Sequence, residues 1–138
     1  MVQEVRKIML SYEELTSAFD MYARDHEGFL PNGKIVGCDV NADGTVTVNL
    51  QQTFGIERRV TSFVFRDMDV LKPLIHFCIT TNIMLPRSGR KSYAVISGSP
   101  TLAISLNITV NVEDSFVPMN VAHIKELAAV KSVLAGAK

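Results

Sequence analysis

Three cations, Arg87, Arg90 and Lys91, fall in one Pro/Gly turn, Ile83-Met84-Leu85-Pro86-Arg87-Ser88-Gly89-Arg90-Lys91-Ser92. Guanidinium forks and free amides around a glycine are the groups that hold a phosphate or another oxyanion, and Arg58, Arg59 and Arg66 add to such a patch if their strand lies alongside. The competing reading is a solvated loop. The chain as a whole is neutral, with 14 basic and 14 acidic residues, and it lacks the clustered aromatics on which single-strand binders stack bases. Its charges are segregated, however. Residues 1–56 carry four basic and eight acidic groups, and residues 57–92 carry seven basic and three acidic groups. That asymmetry serves an anionic partner, a nucleic acid among them, or an acidic half meeting a basic half within one molecule or between two.

Other reactive side chains form no local constellation. His26, His76 and His123 share no ligand spacing, and no carboxylate completes a metal triad with them. Cys38 and Cys78 have neither metal nor redox spacing and read as buried thiols. Asp39, Asn41, Asp43 and Gly44 match the opening of an EF-hand, but the bidentate position is Leu50, so no metal is expected. No nucleophile elbow or phosphate-binding glycine fingerprint is present, and no cofactor is implied. An enzyme is therefore not the expectation; it would need a cleft between the two halves of the chain near His76 and Cys78.

These residues must be positioned by local elements. Ser11-Tyr12-Glu13-Glu14 is a capping box opening a helix, whose stripe is Leu15, Ala18, Phe19 and Tyr22 and whose stop is near Gly28. Lys34–Val40 and residues 45–50 read as strands joined by the Asn41-Ala42-Asp43-Gly44 hairpin turn. Arg59 to Phe65 reads as a third strand. A second helix follows to about Thr81, and Pro73 is accommodated best if the cap is Asp69. Ser92 to Ile96 and a long alternating run from Thr101 to about Val112 complete the strands, and Asn120 opens a last helix.

The chain repeats itself. At an offset of 55 residues Leu15 matches Val70, Phe19 matches Leu74, Tyr22 matches Phe77 and Leu30-Pro31 matches Leu85-Pro86. At 56, Thr45 to Leu50 lies over Thr101 to Leu106. The expected fold is a single α+β domain over residues 1–138. It contains two tandem helix-turn-hairpin repeats, at about 10–51 and 65–107, and a C-terminal helix at about 120–135. One mostly antiparallel sheet of about five strands would carry the helices, the alternative being two smaller layers exchanged between subunits. The start has charges at Glu4, Arg6 and Lys7 and no apolar leader run, and no segment is long and apolar enough to span a membrane. A cytoplasmic location is expected. The composition, 47% hydrophobic, favours a packed core and self-association. The expected function is a non-enzymatic interaction or regulatory module acting as a homodimer or on a protein partner. The alternative is an anion or nucleic-acid binder using Arg87, Arg90, Lys91, Arg58 and Arg59.

Overall fold

A computed structural model describes residues 2–111. The C-terminal helix expected at about 120–135, and His123 with it, lie outside the described residues. The fold is α+β, in the order β1 (Gln3–Ser11), α1 (Tyr12–Asp25), β2 (Lys34–Val40), β3 (Val46–Phe54), β4 (Glu57–Phe65), α2 (Met68–Thr80), β5 (Arg90–Val95) and β6 (Leu102–Asn111). No helix among the described residues is long and apolar enough to cross a membrane.

The capping box forms as the sequence requires. Ser11 Oγ accepts the Glu14 amide proton at 3.1 Å, and Glu14 Oε1 accepts from the Ser11 amide at 2.9 Å, satisfying two donors that a helix start otherwise leaves open. Helix α1 ends at Asp25, and Gly28 takes a positive φ of 93° just beyond it. The α1 stripe is buried at Leu15, Ala18 and Phe19. In the β2–β3 hairpin the Asn41 amide group donates to both Thr45 and Thr47, while Asp43 accepts from the Thr45 amide and hydroxyl. Asn41 and Asp43, two of the residues that match the EF-hand opening, thus hold the turn.

The second helix departs from expectation at its start. Its N-cap is Asp67, not Asp69, and Pro73 lies inside the helix. The first turn is held by the Asp67 carbonyl, which accepts from the amides of Val70 and Leu71 at 3.1 and 3.0 Å. Pro73 removes only the bond that Asp69 C=O would accept, and Asp69 is exposed to water, which can take its place.

The strands make two three-stranded antiparallel sheets, ordered β1-β6-β5 and β2-β3-β4, and not one sheet of about five. The tight Gly55-Ile56 connection folds β4 back onto β3, with Phe54 opposite Glu57, so β3 is saturated on both edges. The open edge of β6 is taken by β1, a strand the sequence reading did not assign. The long β6 strand is central in its sheet, as expected. Ala103 and Ser105 on its second face are nevertheless buried along with Ile104, Leu106 and Ile108, so its first half is covered on both sides.

The described chain divides into two compact units. One comprises Lys7–Leu85 and Lys91–Asn107; the other draws on residues 2–6, Pro86–Arg90 and residues 108–111. In the larger unit α1 packs against α2 and β2, and the inward face of the β2-β3-β4 sheet buries Cys38, Val46, Val48 and Leu50. Phe65 closes this core, its ring 5.5 Å from Phe19 and 4.8 Å from Phe29, both within aromatic packing distance. In the smaller unit Ile108 and Val110 are buried.

Candidate functional site

The glycine of each Leu-Pro turn sets the geometry of the cations beside it. A Cβ on Gly33 would lie 2.7 Å from the Gln51 carbonyl oxygen and 2.9 Å from Leu50 Cγ. Only glycine permits that approach, and Gln52 Nε2 pins the turn by donating to Asn32 O at 3.1 Å. The chain enters β2 at Lys34, opposite Gln51, while Arg58 on β4 sits opposite Thr53. Alternation along the strands then places Lys34, Gln51, Thr53 and Arg58 on one face, pointing away from the core. They line a cleft of about 590 Å³ together with Asn32 and Gly33. No carboxylate lines it, and neither Lys34 nor Arg58 has an ion-pair partner among the described residues.

The second turn is built alike. Gly89 has φ 125°, and a Cβ on it would lie 2.9 Å from the Thr109 carbonyl oxygen and 2.9 Å from Val110 Cγ2. Ser88, Gly89 and Arg90 face Gln3, Thr109 and Asn111 across a cleft of about 250 Å³. Strand β5 begins at Arg90, so Arg90 and Lys91 point to opposite faces; Arg90 is exposed and Lys91 half-buried. Arg87 is exposed. Arg59 is occupied at its hairpin end, 3.5 Å from Glu57 and 5.2 Å over the Phe54 ring. Of the six cations singled out from the sequence, Arg58 thus joins the first turn's cleft and Arg90 the second's. Lys34, which the sequence reading placed only at the start of a strand, is the unanticipated member.

A third cleft, of about 550 Å³, was not legible beforehand. It is lined by Asp43, Arg66, Asp67, Ser92 and Tyr93, among others. The Tyr93 hydroxyl donates to Gly44 O at 2.7 Å and accepts from the Asp67 amide at 3.1 Å, tying the β2–β3 hairpin to the start of α2. Asp67 has φ 53° and ψ −123°, with no side-chain cap bond, a conformation that costs a non-glycine residue on the order of 1–3 kcal/mol. Hydrogen bonds from the Thr45 hydroxyl and amide, helped by the nearby Arg66 charge, hold the Asp43 carboxyl below its ordinary range.

The histidines and cysteines are placed as follows. His76 Nε2 lies 2.8 Å from Asp25 Oδ2, while His26 stacks on Tyr22 at 3.9 Å and meets His76 edge-on at 5.7 Å. His76 Nδ1 is buried without a hydrogen-bond partner. Cys78 is fully buried, so its sulfur has no path to a substrate. Cys38 is also buried, and desolvation pushes its thiol up to about 11, against a weaker opposing hydrogen bond from Thr16. Among the described residues no group of three or more His, Cys, Asp and Glu is placed to hold a metal ion.

Comparison with protein-family models, with curated proteins and with solved structures yields no match for this chain.

Proposed function

We propose that this chain is a non-enzymatic interaction module that self-associates as a homodimer through the open edge of β4, and that it descends from two tandem helix-turn-hairpin copies. The duplication is supported by the strand order. Each copy gains a leading strand, giving β1-α1-β2-β3 and β4-α2-β5-β6. The leading strand of each then completes the other's hairpin, β1 beside β6-β5 and β4 beside β3-β2.

The observation that carries self-association is β4 itself. It is nine residues long, pairs only with β3 among the described residues, and exposes Val60 and Val64 to 58% and 59%. Soluble proteins guard such edges with lysine, proline or a bulge, because open N–H and C=O groups flanked by apolar side chains recruit another strand. This edge has no such guard between Val60 and Phe65. An antiparallel twofold pairing that sets Val60 against Val64 of the partner subunit puts Ser62 on the axis.

Sedimentation velocity over a wide concentration range tests this directly. The expected result is a dimer that Val60→Lys with Val64→Lys converts to monomer, and that Ser62→Cys locks as a disulfide-linked pair under oxidation. A monomer at every concentration overturns the proposal.

A further inference from the structure

We infer that the outward cleft between the first glycine turn and β4 is a phosphate-binding site, with Lys34 and Arg58 as its two cationic arms. Lys34 on β2 and Arg58 on β4 flank β3, and Arg58 stands one same-face row beyond Lys34. Two strand spacings across and one row along put their Cα atoms about 12 Å apart, a span that an ammonium and a guanidinium close over one oxyanion. Between them Thr53 offers a hydroxyl and Gln51 a side-chain amide, and no acidic side chain lines the space. An anion entering here meets two cations, side-chain amide and hydroxyl donors and no carboxylate, an arrangement suited to recognising phosphate by charge-assisted hydrogen bonds.

The second cleft supplies an internal control. Position by position, Asn32, Gly33, Lys34, Gln51, Thr53 and Arg58 of the first correspond to Ser88, Gly89, Arg90, Thr109, Asn111 and Gln3 of the second. The glycine of each turn abuts the carbonyl of the mid-strand residue, Gln51 in one case and Thr109 in the other. Each cleft keeps a glycine followed by a cation and neutral polar residues on the middle strand, and they differ in charge on the third strand, where the first has Arg58 and the second Gln3. The first cleft therefore has two cations and the second has one. Phosphate binds the first more tightly, and the difference resides at Arg58.

The test is an amide-resolved NMR titration of the full chain with inorganic phosphate, pyrophosphate and a short oligothymidylate, each against sodium chloride at matched ionic strength. The expected result is saturable shifts at Asn32, Gly33, Gln51 and Thr53, with weaker ones at Gly89 and Thr109. Arg58→Gln should weaken binding about tenfold, the loss of one charge-assisted contact, and bring the first cleft level with the second. Gln3→Arg should strengthen the second. Both changes are at exposed positions, so thermal melts should stay close to the parent. Pyrophosphate binding more tightly than the oligonucleotide assigns the site to small phosphates; the reverse order assigns it to a nucleic-acid backbone. Shifts that rise linearly without saturation, shifts equal to those in chloride, or an Arg58→Gln protein with unchanged affinity overturn the inference.

Discussion

Replacing Tyr93 by Phe removes one oxygen atom and unlinks two segments of chain. That hydroxyl donates to Gly44 O and accepts from the amide of Asp67, and each such bond contributes on the order of 1 kcal/mol net. Asp67 is exposed and Gly44 half-buried, so water replaces part of what is lost. The expected cost is about 1–2 kcal/mol. Urea unfolding followed by circular dichroism reads it as a midpoint lowered by about 0.5–1 M with an unchanged slope. The reasoning goes further, because the hydroxyl holds Asp67 in a conformation that a side chain resists. Asp67→Gly relieves that strain and should raise stability by roughly 1 kcal/mol. In the double variant the two effects should fail to add by about 0.5 kcal/mol or more, since the residues share a hydrogen bond. A Tyr93→Phe protein as stable as the parent, or an Asp67→Gly protein less stable than it, refutes the account of this tie.

Four further outcomes follow from the structure. Gly89→Ala should cost at least about 2 kcal/mol, because it combines a positive φ with a Cβ 2.9 Å from the Thr109 carbonyl. Gly33→Ala, with the closer 2.7 Å contact to Gln51 O, should likewise lower the thermal midpoint, and scanning calorimetry compares the pair. Ser11→Ala removes the capping-box hydroxyl and should cost about 1 kcal/mol, measured by chemical denaturation. The Cys38 thiol, raised by burial to about 11 from an ordinary 9.0, should resist alkylation in the native state at pH 8. Its folded pKa lies above the unfolded one, so its contribution is complete below pH 9 and fades as pH rises towards 11. The stability gap between the parent and Cys38→Ala should narrow across that window by up to about 2–3 kcal/mol.

The cationic cleft of Lys34 and Arg58 shows why a candidate site was only half legible. A loop bearing three cations stands out in a linear sequence, and Arg87, Arg90 and Lys91 drew attention for that reason. Charge density along the chain is not charge density in space. Once β5 starts at Arg90, the two-residue period sends Arg90 and Lys91 to opposite faces, while Lys34 and Arg58, 24 positions apart in the sequence, are brought onto the outward face of one sheet. The match between the two clefts was hidden as well. Sequence comparison pairs Thr45 to Leu50 with Thr101 to Leu106 at an offset of 56, whereas the two glycines abut Gln51 and Thr109, an offset of 58. The register shift in β2 between Ile35 and Gly37 contributes to that slip, and such a bulge leaves no mark on composition.

The sequence alone determined what local physics controls. The capping box of α1, its stop before Gly28, the Asp43-Gly44 hairpin, the alternation of β6 and the α+β class all depend on residues a few positions apart, whose hydrogen bonds and φ preferences act wherever the chain goes. Tertiary structure decided everything that depends on which neighbour a strand finds. Alternation shows which side of β4 or β6 faces the core, but backbone N–H and C=O groups are the same in every residue and carry no address. That β1 completes β6 while β4 completes β3, that Tyr93 reaches Gly44 and Asp67, and that Arg58 and Lys34 line one cleft are therefore settled only when distant segments bury their apolar faces together.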